Sequence, residues 1–463
     1  MAGRRQSETI AAIATPPGVG GIGIVRISGP EAYPILRALF TPNKPRETFR
    51  SHTLYYGTVR GDDGKVLDEV LAVYMQSPNT YTREDVVELH SHGSYLVLSA
   101  ILAEILRRGA RAAEAGEFTK RAFLAGRIDL TRAEAVIDLL RARTDTGRQL
   151  AVGQLQGSLY QRVDALRQTL VEILAVLEVA IDFPDDDVEL IDSQAILAKL
   201  DQQVEAPLAE LIGLADRGRI IREGISIVIA GLPNVGKSSL LNALLQEDRA
   251  LVTPIPGTTR DTIEEVISIN GVPARIVDTA GIRTEAESIE ELGIQRARRK
   301  VREADLVLFM IDAAAPLTDQ DRELYSSLGD VDRIVVLNKI DIAGGEGVGA
   351  AEAVFSGVPL VRISARNHEG LADLQNVIYT HIMGDSAALQ EREPCAPNVR
   401  HRLVLEESLA ACRRLRTALA AGVTVDLLAV EAQAALDCLG DIVGLTTPDD
   451  VLDRIFAEFC IGK

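Results

Sequence analysis

Residues Gly231-Leu232-Pro233-Asn234-Val235-Gly236-Lys237-Ser238 constrain this chain more than any other stretch. They match the spacing G-x-x-x-x-G-K-[ST], in which a glycine turn joins a strand to a helix and wraps its amides around a phosphate. The surroundings fit that motif. Ile225-Ser226-Ile227-Val228-Ile229-Ala230 is a short apolar run suited to a buried parallel strand, and Ser239-Leu240-Leu241-Asn242-Ala243-Leu244-Leu245 continues with helix formers. Strand, loop and helix in that order imply an open α/β sheet with its ligand at the carboxyl ends of the strands. The loop amides and helix N-terminus then hold the phosphates, Lys237 reaches the β- and γ-phosphates, and the Ser238 hydroxyl ligates Mg²⁺.

Three later segments narrow the nucleotide to guanine. Asn338-Lys339-Ile340-Asp341 follows the apolar run Ile334-Val335-Val336-Leu337. A carboxylate there accepts from the N1–H and 2-amino group of guanine, whereas adenine offers neither donor and leaves the acid unpaired. Asp278-Thr279-Ala280-Gly281 follows Ala274-Arg275-Ile276-Val277, placing an acid for the Mg²⁺ water shell and a glycine amide for the γ-phosphate. Ser364-Ala365-Arg366 follows Leu360-Val361-Arg362-Ile363 and can buttress the base. Each motif alone is weak; all four in this order, each at a strand end, are specific.

A chain of 463 residues exceeds a single core, so two to four domains are expected. No apolar run approaches the roughly 18 residues of a membrane span, and no apolar core follows the basic start Met1-Ala2-Gly3-Arg4-Arg5. Cys395, Cys412, Cys438 and Cys460 show no C-x-x-C spacing and read as reduced thiols, so a cytoplasmic protein without a membrane anchor is expected. A net charge of −18 argues against broad, nonspecific nucleic-acid binding but leaves room for a local basic patch.

The region from about 8 to 120 mixes strands and helices, with Thr9–Ala14 and Ile22–Ile27 read as strands around a glycine-rich turn. Gly18, Gly20 and Gly23 precede a strand instead of opening a helix, so the dinucleotide reading of that spacing is set aside. From Ile128 to Ile221 the pattern is helical. Leu159, Val163, Leu166, Leu170, Ile173 and Leu177 alternate spacings of four and three, a seam for packing against other helices. Asp182-Phe183-Pro184-Asp185-Asp186-Asp187 ends that helix as a solvated acidic turn. Helical periodicity returns after the nucleotide module at Leu405, Leu409, Cys412, Leu415 and Leu419, which implies a module inserted into a helical domain. His90 and His92 share a strand face, but with no third ligand in view they read as structural.

Almost end to end the chain resembles the bacterial tRNA modification GTPases of the MnmE (TrmE) family. The likeness runs through Ala14-Thr15-Pro16-Pro17-Gly18, Gly21-Ile22-Gly23-Ile24-Val25-Arg26-Ile27-Ser28-Gly29, Glu84-Asp85-Val86-Val87-Glu88-Leu89-His90, Gly116-Glu117-Phe118-Thr119-Lys120-Arg121-Ala122-Phe123 and Phe459-Cys460-Ile461-Gly462-Lys463. It implies a multidomain α/β and all-α fold: an N-terminal α+β folate-binding domain over 1–125, a helical domain in two parts over 126–222 and 385–463, and an inserted Ras-like P-loop GTPase domain over 223–384. It also implies GTP hydrolysis in a homodimer that works with the flavoprotein MnmG on tRNA. The pair adds a carboxymethylaminomethyl or aminomethyl group to C5 of the wobble uridine, with the carbon drawn from a tetrahydrofolate such as the 5-formyl or methylene form.

The resemblance assigns nucleotide contacts to Asn234, Val235, Gly236, Lys237, Ser238 and Ser239. It adds Thr253, Pro254, Ile255, Pro256, Gly257, Thr258 and Thr259, then Asp278, Thr279, Ala280 and Gly281, and finally Asn338, Lys339, Asp341, Ser364, Ala365 and Arg366. Folate contacts fall on Arg26, Glu88, Arg127 and Lys463: arginine suits the glutamate carboxylate and Glu88 the N–H edge of the pterin. Ile282 stands where Ras-type proteins carry the water-orienting Gln. The resemblance gives that role to Glu290, with Glu287 and Glu291 as alternatives. It replaces an arginine finger by K⁺, held by Asn234 with carbonyls around Thr253, Ile255 and Thr258, and gives Thr259 to Mg²⁺ beside Ser238. The tail at Cys460 falls near the folate site, so Lys463 meets the cofactor through its side chain or carboxylate. Two other readings stand beside this one: a GTP-driven assembly factor without substrate chemistry, and a folate-dependent transferase whose GTPase module only regulates.

Overall fold

The computed structural model describes residues 8–182, 192–247, 265–278, 301–384 and 395–463. It divides into two compact units. The first comprises 1–137, 155–205 and 407–463; the second comprises 138–154 and 206–406.

The first unit carries a seven-stranded sheet in the order β3-β4-β5-β6-β2-β1-β7. Its strands are β1 (Ile10–Ile13), β2 (Gly20–Ser28), β3 (Phe40–Pro42), β4 (Thr53–Arg60), β5 (Val66–Met75), β6 (Val86–Gly93) and β7 (Arg111–Ala112). All pairs are antiparallel except β1 with β7. Side chains alternate as one-sided sheets require: Tyr55 and Val59 point into the core, while Leu54 and Tyr56 are exposed. Ile35, Leu36 and Leu39 of the helix Ala32–Leu39, with Leu98, Ile101 and Ile105 of Tyr95–Arg107, cover the buried face. The expected strand at Ile22–Ile27 is longer than the pattern indicated, because Gly20 already pairs with Gly93 across an irregular register.

The same unit holds the helical seam. Leu159, Val163, Leu166, Leu170, Ile173 and Leu177 are all buried in the helix Ser158–Asp182, which packs against Val425–Val443. Burying each such side chain contributes about 2 kcal/mol, so the stripe holds the pair together. The acidic run after Asp182 lies outside the described residues. The later helical stretch is two helices, Val399–Ala420 and Val425–Val443, divided where Gly422 takes a left-handed φ of 67°.

The second unit is built on a six-stranded sheet, β13-β12-β11-β8-β10-β9. Its strands are β8 (Ile225–Ala230), β9 (Glu265–Ile269), β10 (Val272–Asp278), β11 (Leu306–Asp312), β12 (Arg333–Asn338) and β13 (Leu360–Arg362). Only the β9–β10 hairpin is antiparallel. Leu306, Leu308, Met310, Ile334 and Val336 face one core, and Val307, Phe309, Ile311, Val335 and Leu337 the other. Apolar side chains on both faces are the reason these strands read as unbroken hydrophobic runs. The helices Lys237–Glu247 and Leu371–Met383 supply Leu240, Leu244, Leu374 and Ile378 to the first core. The phosphate loop, the Asn338 loop and the Ser364 loop therefore all leave carboxyl ends of parallel strands on one edge of the sheet.

Candidate functional site

In the second unit, the loop after β8 adopts a conformation its glycines permit. Gly231 has φ 154° and Gly236 φ 105°, and a Cβ on either would overlap Met310 O or Asn338 Nδ2 respectively. Asn234 is exposed with φ 65°, the left-handed region that asparagine tolerates. Lys237 opens the helix, and its Nζ donates to Gly231 O at 2.9 Å and Leu232 O at 2.8 Å. The ammonium is thus held across the loop mouth, where a phosphate entering the amide cradle would meet it.

Asn338, 3% exposed, ties the three loops together. Its Nδ2 donates to Val235 O at 2.8 Å, and its Oδ1 accepts from Ala365 N at 3.0 Å. Three residues later in the same loop stands the acid of the motif. Asp341 Oδ1 accepts from the Ser364 hydroxyl at 2.8 Å, which fixes the carboxylate plane; Ser364 itself is fully buried. Lys339, with φ 68°, donates to Asp312 Oδ2 at 2.6 Å, so its side chain lies across the loop instead of in solvent. Asn234, Val235, Gly236, Lys237, Ser238 and Ser239 thus gather on one sheet edge with Asn338, Lys339, Asp341, Ser364, Ala365 and Arg366. Asp278 ends β10, opposite Ile229 of β8. Thr253 to Thr259, Thr279, Ala280, Gly281 and Glu290 lie outside the described residues.

The first unit holds a second cluster. Arg26 on β2 and Glu88 on β6 face each other in register, and Arg26 Nε donates to Glu88 Oε1 at 2.8 Å. The other carboxylate oxygen, Oε2, lies 3.2 Å from His90 Nε2. The His90 hydrogen bond, then the Arg26 charge, hold the Glu88 carboxyl below the usual range against the opposing effect of burial. Arg26 also reaches Gly462 O at 3.4 Å and sits 5.6 Å from the Phe118 ring centroid. The tail is seated by a bridge from Ile461 to Ala115, and by Gly462, whose φ of 94° and closeness to Ile13 O exclude a side chain. Lys463 N donates to Cys460 O at 3.3 Å. Arg127 joins this region through Tyr81: its guanidinium lies 4.8 Å from that ring, whose hydroxyl is 3.0 Å from Thr119 Oγ1. His92 is engaged by Asp68 at 2.8 Å, and among the described residues no metal-binding group of three acids, cysteines or histidines occurs.

The linking role of Asn338 is absent from the sequence reading, which treats it as one letter of a motif. The clue is the glycine at position 236, since only a residue without Cβ leaves room for that amide.

Known proteins match this chain over nearly its whole length. A family model described as the GTP-binding protein TrmE N-terminus matches residues 9–127, and one described as the MnmE helical domain matches 130–460. The protein named tRNA modification GTPase MnmE of Desulfotalea psychrophila is 53% identical over 461 residues, 99% of this chain and 98% of that one. Its namesake in Geobacter sulfurreducens is 48% identical over 98% of this chain and 99% of its own. This chain belongs to the tRNA modification GTPase MnmE family. The nucleotide site is accordingly that of a GTP hydrolase, and the fold class expected from the sequence is the one found. Among solved structures, an Aquifex aeolicus Era variant bound to GDP and aluminium fluoride covers 40% of this chain and 67% of its own at 26% identity. Its TM-score is 0.28. Among the described residues of this MnmE-family chain, no helix is long and apolar enough to cross a membrane.

Proposed function

We propose that this chain hydrolyses GTP as a cytoplasmic homodimer and, with the flavoprotein MnmG, adds a carboxymethylaminomethyl or aminomethyl group to C5 of wobble uridines in tRNA. The domains run 1–125 for folate binding, 126–222 and 385–463 for the helical halves, and 223–384 for the GTPase.

In the GTPase, the residues fit a Mg²⁺–nucleotide: the glycine cradle excludes side chains, Lys237 spans its mouth and Ser238 follows at once. Ser238 and Thr259 hold Mg²⁺, and Asn234 with the carbonyls of Thr253, Ile255 and Thr258 holds K⁺. These cations supply charge neutralisation at the phosphates. Asn338 keeps phosphate loop and base loop in register, Asp341 selects guanine, and Glu290 orients water.

In the first unit, Glu88, Arg26, Arg127 and Lys463 hold a reduced folate, which supplies the one-carbon unit when bound. The donor set fits. Glu88 is anionic and half-buried, suited to the N–H edge of a pterin, while the arginines suit the glutamate carboxylates. The observation that carries this reading is the meeting of Arg26, Glu88 and Gly462, residues 62 and 436 positions apart in sequence. The test is one preparation assayed for saturable 5-formyl-tetrahydrofolate binding and for tRNA modification with and without MnmG. No folate binding, or full modification without MnmG, overturns it.

A further inference from the structure

A cleft of about 390 Å³ in the first unit is lined by Met75, Pro78, Asn79, Thr80, Tyr81, Arg83 and Arg127. Two of these are cations, Arg83 and Arg127. Arg26, Arg111 and Arg121 each pair with a glutamate, but neither Arg83 nor Arg127 has a carboxylate partner among the described residues. The acids beside them are already engaged: Glu84 by Arg121 and the Ser28 hydroxyl, Asp85 by the Tyr74 hydroxyl and Ser77 N.

Both guanidinium groups are nonetheless aimed. Arg83 Nη1 donates to Ala125 O at 3.0 Å, and Arg127 Nη1 to Tyr81 O at 3.3 Å. Each arginine thus crosses to the segment that carries the other, spends one donor there and keeps its remaining N–H groups for the cleft. Arg83 does so from a left-handed backbone, φ 60°, a conformation that favours glycine. In a chain of net charge −18, two fixed cations without counter-charge on one cleft form an anion site.

We infer that this cleft binds the oligoglutamate tail of the folate, so that the protein prefers polyglutamylated cofactor. The inference rests on the folate reading above. The pterin end belongs with Glu88, and Arg26, Phe118, Thr119, Tyr81 and Arg127 form a continuous series of contacts from there to the cleft. Each added glutamate brings one carboxylate; Arg127 meets the carboxylate of the first glutamate, and Arg83 is left for an added one.

The test is calorimetric titration of the full chain with 5-formyl-tetrahydrofolate as the monoglutamate and as the triglutamate. The wild type binds the triglutamate about tenfold more tightly, as one charge-assisted hydrogen-bonding group implies, and this advantage shrinks with added salt. Arg83→Gln removes the advantage while leaving monoglutamate affinity within about twofold, and Arg83→Lys restores part of it. Equal affinity for the two forms in the wild type, with both lost in Arg26→Gln, overturns the tail site and spares the folate site. Equal weakening of both forms by Arg83→Gln also overturns it, because that is what a merely structural staple gives. Absence of saturable binding for either form overturns the folate reading and this inference with it.

Discussion

Replacing Asn338 by alanine tests whether one buried amide couples the phosphate loop to the base loop. The substitution strips the partner from Val235 O at 2.8 Å and from Ala365 N at 3.0 Å. The side chain is only 3% exposed, so water does not readily replace it. Leaving one buried polar group unpaired costs about 1–3 kcal/mol, hence about 2–6 kcal/mol for two. A loss of about 3 kcal/mol corresponds to roughly 6–12 °C in melting temperature for a unit of some two hundred residues. Any share that appears in nucleotide binding follows the rule of tenfold per 1.4 kcal/mol. Thermal melts with and without saturating GDP, together with fluorescent-GDP titration, separate the two shares. Asn338→Asp serves as a control, since it keeps an acceptor for Ala365 N but sets a carboxylate against Val235 O. A melting temperature within 2 °C and GDP affinity within twofold for Asn338→Ala would refute the coupling.

Asp341→Asn lowers GTP affinity at least tenfold and gains xanthosine triphosphate binding, because the amide presents one donor where guanine needs an acceptor; unchanged preference in a competition titration counts against it. GTP turnover at matched ionic strength is faster in K⁺ than in Na⁺, and Asn234→Ala removes the difference; equal wild-type rates would sink the cation assignment. Gly462→Ala places a methyl against Ile13 O at a φ of 94°, so folate affinity falls while GTP hydrolysis stays within about twofold; parallel loss of both activities contradicts separate sites. Lowering pH weakens the first unit through Glu88. Its folded pKa is depressed, so the stabilisation is complete above the unfolded value of about 4.3 and is lost as pH falls through the folded value. Glu88→Gln flattens that acid limb in urea titrations, and an unchanged limb rules the group out.

The nucleotide site was legible because its information is local. Gly231 to Ser238, Asn338 to Asp341 and Ser364 to Arg366 each sit at a strand end, and strand ends converge once the sheet is parallel. The buried seam at Leu159 to Leu177 was legible for the same reason, since a period of 3.5 needs no knowledge of its partner. The cluster of Arg26, Glu88 and Gly462 was not readable from pattern. Arg26 and Glu88 meet through antiparallel register, His90 takes a partner two residues away on its own strand, and the Gly462 carbonyl arrives from the far end of the sequence. Neither spacing nor composition encodes such pairings; only the resemblance pointed there. The unpaired state of Arg83 and Arg127 was equally invisible, because it depends on what Glu84 and Asp85 bind instead.

The contact between Arg26 and Gly462 closes a loop of 436 residues, whereas Arg26 and Glu88 close one of only 62. For a flexible chain the longer closure costs about 1.7 kcal/mol more in entropy, which the 3.4 Å hydrogen bond and the one bridge from Ile461 to Ala115 scarcely offset. The tail therefore docks only after the intervening segments have folded and shortened the effective loop. Folding order follows: the β2–β6 pairing precedes the seating of Ile461 and Gly462.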